Sequence, residues 1–252
     1  MLAVERRSEI QKLVFDRKSV LVADLAKMYD VTEETIRRDL NVLEKSGAIV
    51  RTYGGAYLKN SIEDVDISQR REDNVPGKNI IAAISRNLVE NGDTIFLDSS
   101  TTASYIASAI SDMQLTIVTN SLAISNILSK CPSVNLICLG GLYNPTHDAF
   151  VGASVLQHLQ KMFFTKAFIS THSLSMNEGI TDTNEEIASI RIAVAKRCNA
   201  LYLAVGSEKF DRISFIKSLS YDSVTGLITD SCPSSSWLNF LQQHNISIYC
   251  KD

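Results

Sequence analysis

Between Val31 and Gly55 the chain reads V-T-E-E-T-I-R-R-D-L-N-V-L-E-K-S-G-A-I-V-R-T-Y-G-G, and this stretch constrains the fold more than any other. Thr32 stands where a hydroxyl can accept a hydrogen bond from an N–H of a first helical turn. Ile36, Leu40 and Leu43 follow at helical spacing and form a narrow apolar stripe. At about 100° per residue, Arg38 falls almost opposite that stripe, with Thr35 and Arg37 on its flanks. One face is set to be buried, and the other carries two guanidinium groups and a hydroxyl near the helix N-terminus. A helix seated in the DNA major groove needs that distribution, because its first turns approach base edges and phosphates. Gly47 should end the helix. Ala48 to Tyr53 reads as a short strand and Gly54-Gly55 as a tight turn, which makes a wing.

A capped helix with surface arginines is commonly no more than a solvated face, so the residues before it decide. Ile10, Leu13 and Val14 imply a first helix of roughly Val4 to Phe15. After a break at residues 16–19, Leu25, Ala26 and Tyr29 mark a short second helix, and Asp30-Val31 is the turn into the third. That order is the helix-turn-helix plan. The expected contacts are Thr32, Thr35, Arg37, Arg38 and Lys45 on the duplex, with Arg51, Tyr53, Gly54 and Gly55 at its backbone or minor groove.

At 252 residues and 45% hydrophobic, the chain can form a small module plus one sizeable domain. Residues 1–59 hold 11 Lys+Arg against 9 Asp+Glu, and the remainder holds 14 against 19. The positive excess therefore sits in the first module, and an acidic body argues against the whole molecule coating DNA. No run approaches about 18 apolar residues and the start lacks a signal-peptide core, so a cytoplasmic protein is expected. Cys131, Cys138, Cys198, Cys232 and Cys250 are scattered singly and read as reduced, mostly buried residues, with no metal or cofactor implied.

Residues 59–77 read as a linker closed by Pro76-Gly77, between a 1–58 module and a 78–252 domain. From Lys78 onward, apolar strands at 94–97, 115–118, 134–137, 167–169, 200–205 and 224–228 alternate with helical stretches. That pattern predicts an α/β fold with a parallel sheet covered on both faces. Ligands in such sheets bind beyond the carboxyl ends of the strands. There the chain puts Asp98 to Thr102, Thr119-Asn120-Ser121, Gly140-Gly141, Ser170 to Ser173 and Gly206 to Lys209. Hydroxyls, helix N-termini and a lysine on one edge suit an anion, phosphate in particular. Each hydroxyl alone would be a helix cap.

T-x-x-T-I-R-R-D-L-x-x-L-E followed by R-T-x-G-G-A resembles the N-terminal domain of the DeoR family of bacterial sugar-catabolism regulators. F-L-D-x-x-T-T, V-T-N-S-L, L-G-G, Gly179-Ile180-Thr181 and Lys209-Phe210 are similar to that family's effector domain, which has a ribose-5-phosphate isomerase-like fold. The resemblance implies a phosphorylated sugar as effector. Asp98, Ser100, Thr101 and Thr102 would form the phosphate loop, Asn120, Ser121, Gly140 and Gly141 the neighbouring turns, and Lys209 would approach the ligand. The chain departs from the family at Tyr53 (usually His), Ser100 (usually Gly) and Gly206 (usually Asp).

The function expected is a DNA-binding regulator, a repressor of a carbohydrate operon, acting as a dimer or higher oligomer. Two alternatives stand beside it. One is a sugar-phosphate isomerase with a DNA-binding appendage, using Asp98, Glu186 and Lys209; the other is a regulator whose pocket binds nothing. His147 and His172 read as plain loop residues, and Trp237 as the anchor of a C-terminal helix.

Overall fold

The computed structural model describes residues 3–17, 19–45, 49–51, 54–58 and 67–251. The reading head comprises α1 (Ala3–Arg17), β1 (Ser19–Leu21), α2 (Val22–Tyr29), α3 (Glu33–Lys45), β2 (Ile49–Arg51) and β3 (Gly55–Leu58). Thr32 caps α3, its Oγ1 accepting from the Thr35 N–H at 3.3 Å. Asp30 makes the turn into α3 in the left-handed region, φ 50°, with its N–H directed at the carbonyls of Ala26 and Lys27. Ile36, Leu40 and Leu43 are buried with Ile10, Val14 and Leu25. At about 1.5–3 kcal/mol per buried aliphatic side chain, this packing outweighs the weak tendency of so short a helix to form alone. Arg6 of α1 donates to Asp39 of α3 at 2.6 Å, a buried pair that fixes the two helices.

α1 runs through Arg17, into the stretch 16–19 read as a break, and β1 begins at its last residue, Ser19. Three residues are too few to show alternation, and the strand exists because β3 pairs with it, Val20 opposite Ala56. Gly55 opens β3 instead of completing a turn. A Cβ there would strike the Val20 carbonyl, so only glycine lets β3 lie between β1 and β2. Gly47 and Tyr53 lie outside the described residues.

The larger part begins with α4 (Ile67–Glu72) and α5 (Val75–Arg86), both starting within the stretch read as linker. Pro76 does not close that stretch. It occupies the first turn of α5, where a missing N–H costs nothing. There follow β4 (Thr94–Leu97), α6 (Thr101–Ala109), β5 (Leu115–Thr119), α7 (Leu122–Leu128) and β6 (Val134–Cys138). Next come β7 (Leu142–Asn144), β8 (Ala149–Val151), α8 (Ala153–Leu159), β9 (Phe164–Ile169), β10 (Ser173–Ser175) and β11 (Gly179–Asp182). The chain ends with α9 (Glu185–Ala195), β12 (Cys198–Ala204), β13 (Ile216–Leu219), β14 (Gly226–Thr229), α10 (Ser235–Gln243) and β15 (Ser247–Cys250).

Seven of these strands form one parallel sheet in the order β15-β14-β12-β9-β4-β5-β6. Alternate side chains face opposite cores, as a doubly covered sheet requires. Ile95, Leu97 and Ile117 pack with Ile81, Ile106 and Ile124 of α5, α6 and α7. Phe96, Ala167 and Leu203 pack with Val155, Ile190 and Leu241 of α8, α9 and α10. Trp237 is fully buried in α10, as anchored, and donates to Asp211 at 2.9 Å. The order reverses between β4 and β9, which leaves a crevice at their carboxyl ends. A small antiparallel sheet, β10-β11-β13, stands beside it and was not anticipated.

The cysteine expectation is corrected at one pair. Cys250 pairs with Thr229 across β15 and β14, which brings it to Cys232 just beyond β14, and the two form a disulfide with Cα atoms 5.2 Å apart. Cys138 is exposed, not buried. Among the described residues no helix is long and apolar enough to cross a membrane.

Candidate DNA-reading face and effector cavity

On α3 the arginines stand on the solvent side, each one turn from a carboxylate. Arg37 donates to Glu33 at 2.9 Å, and Arg38 lies 3.8 Å from Glu34. Such exposed pairs contribute about 0.3–0.5 kcal/mol, so phosphates can displace them. Thr35 and Lys45 share this helix, Lys45 exposed in its last turn. Arg51 has partners within the head. Its guanidinium donates to Asn41, and its N–H donates to Glu44 at 3.0 Å, so it ties β2 to α3. The Gly54 carbonyl accepts from the Val22 N–H at 2.8 Å and secures the wing to α2.

Over the switch point lies a cavity of about 640 Å³. Its floor includes Ser99 to Thr102 at the start of α6, Ser170 to Ser173 after β9, and Lys209 after β12. Ser100 caps α6, accepting from the Ala103 N–H at 3.0 Å. Its φ of −75° suits any residue, so serine in place of glycine strains nothing. Five cations line it, Arg70, Lys78, Arg191, Lys209 and Arg212, against the carboxylates of Asp73, Asp182 and Glu208. Burial pushes the Lys78 ammonium below its usual range, with Asp73 and Glu208 partly opposing. Burial does the same to Lys209, again opposed by Glu208. Lys78 is held by the carbonyls of Arg70 and Asp73, which positions the end of α4 over the cavity.

Asp98 lies beneath the cavity as a brace. Its Oδ1 accepts from Ser100 N–H at 3.0 Å, and its Oδ2 accepts from Ser170 N–H at 3.0 Å and from Arg191 at 2.8 Å. Both oxygens are therefore committed to protein partners, and Asp98 is not among the residues that line the cavity. Arg191 also pairs with Asp182. Burial raises the Asp182 carboxyl, but the Arg191 charge outweighs it and holds the group below its usual value.

Asn120, Ser121, Gly140 and Gly141 do not line the cavity. They follow β5 and β6, displaced from the switch point toward the sheet edge, where Asn120 and Ser121 are buried and Gly140 and Gly141 are exposed. Asn120 donates to the Phe150 carbonyl at 2.9 Å, Ser121 caps α7, and Gly141 faces the Val151 carbonyl. His147 and His172, read as plain loop residues, both line the cavity. The His147 Nδ1 lies 3.3 Å from Arg70. Arg70, Lys78, Arg191 and Arg212 were missed. The only signal was the charged run at 69–74, whose meaning depends on α4 folding back over the sheet.

At Gly206 a Cβ would collide with the Glu208 carboxylate, which also accepts from Asn74 at 3.2 Å. Glu208 thus occupies the space over Gly206 and supplies a carboxylate beside Lys209, 3.9 Å away.

Two family models match in chain order: the DeoR-like helix-turn-helix domain over residues 6–62 and the DeoR C terminal sensor domain over residues 73–231. The chain belongs to the DeoR family of transcription regulators. It is similar to the uncharacterized HTH-type transcriptional regulator YulB of Bacillus subtilis, 34% identical over 92% of this chain and 90% of that one. A lactose phosphotransferase system repressor of Streptococcus mutans is 32% identical, covering 90% and 91%. An L-fucose operon activator of Haemophilus influenzae is 31% identical, covering 89% and 91%. Among solved structures, ribose 5-phosphate isomerase A of Methanocaldococcus jannaschii matches 53% of each chain at a TM-score of 0.39 and 13% identity. As a DeoR-type chain this protein is a DNA-binding regulator and not an enzyme, and the Asp98 of the isomerase alternative is already spent on Arg191.

Proposed function

We propose that this DeoR-family protein is a cytoplasmic homo-oligomeric repressor of a sugar uptake or breakdown operon, relieved by a phosphorylated sugar. The observation that carries the reading is the cavity at the switch point. Five cations against three carboxylates, with the α6 N-terminus, meet there, in a chain that also carries an arginine-faced reading helix. Ser100, Thr101 and Thr102 with Lys209 would take the phosphate, since helix N–H groups and a desolvated ammonium favour a compact dianion. The hydroxyls and amides of Ser170, Thr171 and Asn184 offer partners for a sugar's hydroxyl groups. Thr35, Arg37 and Arg38 would contact bases and phosphates. For the effector to release DNA it must bind the two states of the regulator with different affinity.

The test is an operator shift assay with a panel of pentose and hexose phosphates and their unphosphorylated sugars. The expected result is release of DNA by one or more phosphorylated sugars and by none of the free sugars. Release by free sugars alone removes the phosphate assignment. An unchanged shift with no calorimetric heat from any member leaves a regulator with an inert pocket. Tighter binding makes it an activator-type sensor.

A further inference from the structure

The seven-stranded sheet ends in two edges that are built differently. β15 is flanked by His244 and Lys251 and joined to the end of β14 by the Cys232–Cys250 disulfide. β6 carries no disulfide, and Lys130 and Pro132 precede it without standing on the strand. From Ser133 to Thr146 there is no charged residue, in a chain that is 21% charged. Among the described residues β6 pairs with β5 alone, which leaves its outer backbone donors and acceptors facing solvent. Asn135, Ile137 and Cys138 are exposed along it, and Leu142, next in the chain on β7, is 70% exposed.

Edges that stay single are normally guarded by lysine, proline or a bulge. An uncharged apolar edge invites another strand. A two-fold contact places the strip against its own copy, so a charge near the axis would meet its like. A strip without charge is what such self-association tolerates, and a charged partner would find nothing to pair with. The reading head points the same way, because helix-turn-helix proteins read operator half-sites with two symmetric heads. We infer that β6 and the adjoining Leu142 form the contact between two copies of this chain. The two β6 strands pair antiparallel about the two-fold axis and join the sheets into one. The inference rests on the homo-oligomeric reading above and gives it a surface.

The full chain is tested by light scattering coupled to gel filtration, as wild type, as Ile137→Lys with Leu142→Lys, and as Phe163→Lys. Phe163, 71% exposed, lies outside the strip and serves as control. The expected wild-type mass is an even multiple of 27.8 kDa, halved in the double variant and unchanged in the control. Circular dichroism checks that the variants fold. Cys138 gives a second readout, because Cys131 and Cys198 are half-buried and burial pushes the Cys198 thiol up to about 11. Iodoacetamide should modify Cys138 about tenfold more slowly in the wild type than in the double variant. If the double variant does not fold, Cys138 modification of the wild type must accelerate on dilution. A monomeric wild type removes the homo-oligomeric reading itself. An oligomer that survives the double variant, one broken by Phe163→Lys, or Cys138 rates independent of variant and dilution overturn the assignment to β6.

Discussion

In α3 of the head, Arg37 and Arg38 stand outside the fold, their side chains 38% and 79% exposed, with carboxylates one turn away. In the sensor, Lys78 and Lys209 turn inward, and loss of water lowers the pKa of both. Both regions answer to anions, but the anions differ in kind. A duplex is a long polyanion whose affinity comes from neutralised phosphates and released counterions, so its partners must be hydrated, mobile and salt-sensitive. A small metabolite offers one or two charges, and only enclosed, pre-positioned groups make those few contacts strong. The cost of enclosure appears beneath the cavity. There the Asp98–Arg191–Asp182 cluster fixes the loops after β4 and β9 and the end of β11.

The contrast breaks first at that cluster. Arg191→Met leaves two buried carboxylates uncompensated and should cost about 3–5 kcal/mol in urea unfolding, while exposed pairs on α3 barely register. The sign with pH follows from Asp182. Its lowered pKa contributes stability that is present above the ordinary value of 3.8 and is lost as pH falls through the lowered one. Wild type should keep this contribution at neutral pH, whereas the variant lacks it there. A variant as stable as wild type at neutral pH would make the cluster incidental.

A smaller effect is expected on the outer face. Arg37→Ala with Arg38→Ala should weaken operator binding by about a hundredfold and reduce the salt slope by about two. Thermal stability should stay unchanged, because both side chains face solvent. An unaltered slope would relocate the reading face. The smallest effect concerns pH and the cavity. Lys209 loses its proton at lower pH than an exposed lysine, so affinity for a phosphorylated effector should fall as pH rises toward 10.5. The fall is about tenfold for each unit of lowering passed, and Lys209→Arg should abolish it. Calorimetry across that range checks the sign.

Much of the fold was legible because periodicity reports burial. The Ile36–Leu40–Leu43 stripe and the apolar runs at 94–97 and 115–118 each carry their partner's signature within a few residues. β1, β13 and β15 were not legible, since none is a continuous apolar run and each takes its identity from distant neighbours, as Ser19 does from Tyr57. The cavity was half legible. Ser100, Thr101, Thr102 and Lys209 sit next to strand ends, where sequence position implies location, and they line it. Asn120 and Gly140 also sit at strand ends, but of strands on the far side of β4, and strand order is not written locally. Arg70 and Lys78 reach the cavity only because α4 and α5 fold over the sheet. Asp98 illustrates a different limit: its position was legible, but its use depended on Arg191, 93 residues away.

The placement of Glu208 over Gly206 makes these two positions compete for one space. A side chain restored at 206 would collide with the present carboxylate, and a shortened 208 alone would leave Lys209 without its neighbour. The far end of a glutamate can swing aside, so a side chain at 206 would push Glu208 away from Lys209 without breaking the fold, and the charge beside that lysine is set by which of the two positions fills the space.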